Sequence, residues 1–344
     1  MKAFLKKNLG LIYIAITVII IVVLGISNQS FSDLFASFAS FDYFWLVLML
    51  ACVAAYYLLE NYSLWYYLKS ENEPMGFFSA LKATMIGQYY CALTPFASGG
   101  QPMQIYYMHK KGVSMGVATS AMTVKVVIFN VTMVATAIIG VIYNIRYFLY
   151  ENNFAFVFAV VGILANSAVI VLFWMMFFNQ SFGNKVVRGV VKLLGKIRII
   201  KDMEKANAKL DDFLGEYFLA IGFIKKNPKR MAWLSIVTFV QTFAFMSVSY
   251  CIYRAFGYNE QSPILFITLQ YVLFIAVSYV PLPGASGAQE IGFMQIFGKF
   301  LPEDKVFTVM MIWRFFTYIA VIIVGGCIIV WDEIRGIAHR RREE

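Results

Sequence analysis

Leu282-Pro283-Gly284-Ala285-Ser286-Gly287-Ala288-Gln289-Glu290 sits in the middle of hydrophobic sequence and cannot continue as ordinary membrane helix. Pro281 and Pro283, with Gly284 and Gly287, break the helix. Glu290 then places a carboxylate at a depth where charge is costly. An earlier stretch reads almost the same: Thr94-Pro95-Phe96-Ala97-Ser98-Gly99-Gly100-Gln101-Pro102. Both contain P-x-A-S-G-x-Q, and Pro283 follows Pro95 by 188 residues (283 − 95). The pair predicts two broken-helix elements that face each other inside a membrane protein and build a site for a polar lipid headgroup.

The rest of the chain supports a membrane setting. Of 344 residues, 60% are hydrophobic and 14% charged. Soluble domains hold only about 45–50% apolar residues, so the composition reads as an all-α integral membrane protein. The net charge is +10, with the basic residues beside apolar segments. Anionic lipid accounts for that placement better than nucleic acid does. Cys52, Cys91, Cys251 and Cys327 lie in apolar segments without a C-x-x-C pair, so they read as small buried hydrophobes. His109 and His339 are the only histidines, and both flank basic residues. A zinc site, a Ser-His-Asp triad or a resident cofactor is therefore not expected.

Charge sets the expected topology. Lys2, Lys6 and Lys7 precede an apolar run, Leu9 to Ile26, read as a first span leaving the cytoplasm. The loop from Ser27 to Asp42 has no Lys or Arg, as an outside loop should. Spans are expected at Tyr43–Leu68, Met115–Tyr143, Phe154–Phe178, Met231–Phe256 and Phe307–Trp331. Between them, Gly76 to Met108 and Pro263 to Phe300 read as re-entrant hairpins, tolerable only where protein or water covers the broken backbone. Arg335, Arg340, Arg341 and Arg342 close the chain on the inside. The sum is about six full spans, two re-entrant hairpins and both termini cytoplasmic, in one membrane domain over 1–344. The long polar segment, 179–230, has Lys185, Arg188, Lys192 and Lys196 at helical spacing beside Val187, Val190, Val191 and Leu194. It reads either as amphipathic helix on the anionic inner leaflet or as a solvated cytoplasmic hairpin.

A shift of 188 residues aligns more than the motif. Tyr43 meets Met231 at the start of a span, and Tyr143 meets Trp331 at the end of one. Lys125 meets Trp313, one residue from Arg314. Each half, 43–143 and 231–331, reads as span, broken hairpin, span carrying a cation. The first half begins outside and the second inside, which is the inverted-topology repeat of transporters with sites at discontinuous helices.

The chemistry follows from the breaks. Each ends where a short helix begins, and Pro102 and Glu290 suit first-turn positions. Ser98, Gly99, Gly100 and Gln101 in the first copy, and Gly284, Ser286, Gly287, Gln289 and Glu290 in the second, are the candidate binding residues. Their backbone N–H groups and the buried cations Lys125 and Arg314 suit a phosphate-bearing headgroup. Other readings stay open. Glu290 with Arg314 fits a structural ion pair, Lys125 fits a snorkelling side chain, and Ser98 and Ser286 fit turn caps better than nucleophiles. No catalytic or metal-ligating set is expected.

Thr94 to Gly112, T-P-F-A-S-G-G-Q-P-M-Q-I-Y-Y-M-H-K-K-G, with P-L-P-G-A-S-G-A-Q-E from Pro281 to Glu290, resembles the flippase-like membrane domain of the lysylphosphatidylglycerol synthase family. The resemblance covers nearly the whole chain. It implies translocation of a phospholipid or lipid-linked headgroup, with aminoacylated phosphatidylglycerol as one candidate, across a prokaryotic plasma membrane. It places Pro95, Gly99, Pro283, Gly284, Gly287, Glu290 and Arg314 on motif positions. Fused members also carry an aminoacyl-transferase domain. This sequence ends at Glu344, just after its last span, so transport without synthesis is the expectation. Two other functions compete: a membrane partner of a separate lipid synthase, and an embedded enzyme acting on lipid phosphate. A second copy of the chain is the other partner left open.

Overall fold

The computed structural model describes residues 41–178, 180–196 and 202–343. The expected first span, Leu9 to Ile26, and nearly all of the loop after it lie outside these residues. Everything described is helix, turn or loop, with no strand among the described residues. Five helical runs are long and apolar enough to cross a membrane: Tyr43–Ser70, Met115–Tyr143, Asn153–Val171, Pro228–Ala255 and Glu303–Asp332. This is an all-α membrane protein.

The elements in chain order are α1 (Tyr43–Ser70), α2 (Phe77–Leu93), α3 (Gly100–Lys110), α4 (Met115–Tyr143), α5 (Asn153–Phe178), α6 (Gln180–Lys196) and α7 (Met203–Lys226). Then come α8 (Pro228–Met246), α9 (Val248–Ala255), α10 (Pro263–Val277), α11 (Ala288–Phe297), α12 (Glu303–Arg314) and α13 (Ala320–Glu343). Local chemistry sets several boundaries. Asp42 caps α1 by accepting from the Phe44 N–H at 3.0 Å. Proline opens α8 and α10, where its missing N–H costs nothing. A π-helical turn, Phe315–Ile319, joins α12 to α13, so the last span is continuous but locally widened. Another, Tyr147–Glu151, stands where a short loop was expected and buries Tyr147 and Phe148.

Both broken stretches fold as antiparallel helical hairpins. In the first, α2 and α3 approach closely because glycine leaves room. A Cβ on Gly100 would stand 2.0 Å from the Cys91 sulfur, and one on Gly87 would stand 1.8 Å from Gln104 Nε2. In the second, α10 and α11 pack together, and a Cβ on Gly292 would meet Leu273 Cδ1 at 2.4 Å. The apices are 3₁₀ turns, Pro95–Ala97 and Pro283–Ala285. Their backbones match: Phe96 and Gly284 have φ of 57° and 58°, and Ala97 and Ala285 have 52° and 49°. Left-handed backbone on three non-glycine residues is strain, at about 1–2 kcal/mol each.

Element starts repeat at the same offset. The turns begin at 95 and 283, the short helices at 100 and 288, and the following spans at 115 and 303, each 188 residues apart (283 − 95, 288 − 100, 303 − 115). Packing between the halves is reciprocal. The α1 span packs on α8, and the two turns pack on each other. The outer arm α2 packs on α13 of the second half, and the outer arm α10 packs on α4 of the first. Two large apolar cores result, one built around α2, α3 and the start of α4, the other around α9 to α12, and smaller clusters such as Met85 with Tyr318 join the halves. Outward faces carry exposed apolar side chains such as Val47, Phe78, Ile139 and Leu164, as a lipid-facing surface does.

The polar segment forms two helices. Arg188 of α6 pairs with Asp211 of α7, and α7 packs on α4 with Leu210 and Leu214 buried.

Candidate functional site

A cavity of about 510 Å³ lies between the halves, bounded by both turns. Gln101, Lys125, Gly284, Gln289 and Arg314, five of the residues expected from sequence, line it. The other six shape the turns around it.

Ser98 and Ser286 play matching parts. Each hydroxyl donates to the carbonyl of the proline three residues earlier, Pro95 at 2.9 Å and Pro283 at 2.7 Å. They close the turns, as short hydroxyl side chains do at chain reversals. Gly99 donates its N–H to Thr94 Oγ1 at 2.8 Å, and Gly100 is buried against α2. Gly287, at φ 86°, donates its N–H to Glu290 Oε2 at 2.6 Å. The carboxylate of Glu290 therefore already sits at the start of α11, where the helix dipole favours a negative charge. Pro102 offers no N–H in the first turn of α3. The helix N-termini expected to hold phosphate thus spend part of their donor capacity on the protein's own groups.

Two ion pairs, each with one buried member, stand at the cavity in opposite halves. Arg314 is 4% exposed. Its Nε lies 2.7 Å from Glu290 Oε1, and its Nη2 donates to the Gly284 carbonyl at 2.6 Å and to Ser286 Oγ at 3.3 Å. The guanidinium also lies over the Tyr318 ring, 4.1 Å from the centroid. Tyr318 in turn donates its hydroxyl to the Ala92 carbonyl at 3.0 Å, so α2 is tied to the arginine of the other half. Lys125 does not snorkel away: it pairs with Glu60 and reaches Gln104 Oε1 at 3.4 Å. Gln88 Nε2 donates to the second oxygen of Glu60 at 2.7 Å.

Glu60 was missed in the sequence. It is 1% exposed and lies in α1 between Leu59 and Asn61. The signal was present, because a lone carboxylate in an apolar span demands a partner as much as Lys125 does. Gln88, Gln104, Gln241 and Gln270 were also passed over and line the same space. Neutral amides carry no charge to stand out in an apolar run. The wall between them is aromatic, with Tyr56 against Phe245 at 4.4 Å between centroids, and Trp313 close by. No group of three or more His, Cys, Asp or Glu able to hold a metal occurs among the described residues.

Residues 10–325 match the family described as the lysylphosphatidylglycerol synthase TM region. The chain belongs to that family. Among curated proteins, a UPF0104 membrane protein of Archaeoglobus fulgidus is similar, at 25% identity over 263 residues, covering 76% of this chain and 78% of the relative. For this member of the lysylphosphatidylglycerol synthase TM family, the matched residues take in both hairpins, both turns and both ion pairs. The family fits a lipid-related role in the membrane.

Proposed function

We propose that the protein translocates the polar headgroup of a membrane lipid between leaflets by alternating access around the central cavity. One observation carries the reading. A cavity lined by two ion pairs and six glutamines lies where two broken helices meet, in a chain whose spans turn apolar side chains outward. Intramembrane charges of this kind mark substrate pathways more often than they stabilise a fold. The matched element starts support an inverted-topology repeat over 43–143 and 231–331, and inverted repeats give a fixed site two alternating exits. In this reading the headgroup occupies the cavity, the acyl tails stay in lipid, and both termini are cytoplasmic in a prokaryotic plasma membrane. The eleven candidate residues divide between wall and hinge: Gln101, Lys125, Gly284, Gln289 and Arg314 face the headgroup, and the remainder shape the turns that move.

The test is a vesicle assay with fluorescent lipids and the purified chain. Movement of label without chemical change supports transport. A modified lipid supports an embedded enzyme, and neither outcome leaves a partner protein of a lipid synthase. Glu290→Gln and Arg314→Ala are each expected to abolish movement in protein that still purifies as folded. Wild-type rates in both variants would remove the pair from the mechanism.

A further inference from the structure

Six of the chain's ten glutamines, Gln88, Gln101, Gln104, Gln241, Gln270 and Gln289, line the central cavity. Glutamine is seldom an interior residue, and an unpaired amide away from water costs free energy. The charges facing the same space are already answered. Glu60 is engaged through one oxygen by Lys125 and through the other by Gln88. Glu290 is engaged through one oxygen by Arg314 and through the other by the Gly287 N–H. The two pairs sum to no net charge.

What remains unanswered is amide. Gln270 and Gln289 are 2% and 8% exposed, both line the cavity, and the side-chain oxygen of each is buried without a hydrogen-bond partner. They come from the two arms of the second hairpin, Gln270 from α10 and Gln289 from α11. The rings of Tyr56, Phe245 and Trp313 supply apolar faces beside them.

The geometry points to an uncharged, hydroxyl-rich headgroup, a glycosyl or polyol unit on a lipid, as the ligand of this cavity. A hydroxyl both donates and accepts, and so does an amide. A primary ammonium, as on an aminoacylated lipid, would need a free carboxylate. A phosphate would need a free cation. Either would have to compete with the partners that these charges already hold. The volume, about 510 Å³, lies in the usual range for small-molecule sites, about 300–1,000 Å³. A ring with apolar faces and equatorial hydroxyls also suits a wall that carries both aromatic and amide groups.

This inference rests on the transport reading only for the route by which the headgroup arrives, so binding and movement are measured separately. The purified full chain in detergent is mixed with equimolar monoglucosyl diacylglycerol, phosphatidylglycerol and lysylphosphatidylglycerol, and the retained lipid is read by native mass spectrometry. The glucosyl lipid is expected to be retained in about tenfold excess, the scale that separates a satisfied buried amide from an unsatisfied one. Gln270→Leu or Gln289→Leu should each remove most of that preference, and one folded variant of the two suffices. Preferential retention of either charged lipid, or no preference in the wild type, overturns the inference. In vesicles, fluorescent versions of the same three lipids test the transport reading independently. Faster movement of a charged lipid contradicts the inference while leaving transport standing. Glucosyl-lipid retention without movement of any lipid keeps the inference and removes transport.

Discussion

Glu60 and Lys125 show most clearly what a buried charge demands. Glu60 is 1% exposed, and its lysine partner is the ion that offsets its burial. Removing one member leaves the other uncompensated, at a cost of about 3–5 kcal/mol, whereas replacing both by neutral groups can be nearly neutral. Lys125→Met is therefore expected to lower the unfolding temperature in detergent sharply, and Lys125→Met with Glu60→Gln to restore most of it. A double variant whose loss equals the sum of the separate Lys125→Met and Glu60→Gln losses would show that the pair contributes no coupling. At this scale the sequence was partly legible. Lys125, Arg314 and Glu290 stand out as charges in apolar runs, and all three face or brace the cavity. Glu60 stands out just as much, but it lies in an unbroken span, and its partner is 65 residues away in the chain. Contacts of that separation have no local signature. The serines were legible as turn residues for a local reason: hydroxyl and acceptor lie three residues apart.

The turns carry the next level of constraint. Gly284 and Phe96 occupy matching positions with nearly the same left-handed φ, yet they face different surroundings. A Cβ on Gly284 would lie 2.1 Å from Tyr318 Cε2, while the Phe96 side chain is 56% exposed. Gly284→Ala must displace Tyr318, and with it the ring beneath Arg314 and the hydroxyl contact to Ala92. A loss of about 2 kcal/mol or more is expected from overpacking and strained backbone together. Phe96→Gly relieves strain without such a clash and should leave the fold in place, with a gain of at most about 1 kcal/mol. Denaturation of the two variants in detergent checks the contrast, and equal effects would contradict it. The hairpins themselves could be read from proline, glycine and the P-x-A-S-G-x-Q repeat. The close approach of α2 and α3 could not, because Gly87 is buried against Gln104 by tertiary packing alone. The π-helical turn after Arg314 likewise leaves no mark in composition.

Over the whole molecule, reciprocal packing explains why the cavity exists. Each half lends an outer arm to the last span of the other, and the apolar cores draw residues from both halves. Between the halves the two turns meet, and the ion pairs and glutamines line the space beside them. The account stands on the two turns touching inside the bilayer. The most direct measurement is intramolecular crosslinking in native membranes, with Ala97→Cys and Ala285→Cys in a chain whose four native cysteines are replaced by serine. The account predicts efficient linkage by a short bis-maleimide within one chain. No linkage between the two positions would contradict it.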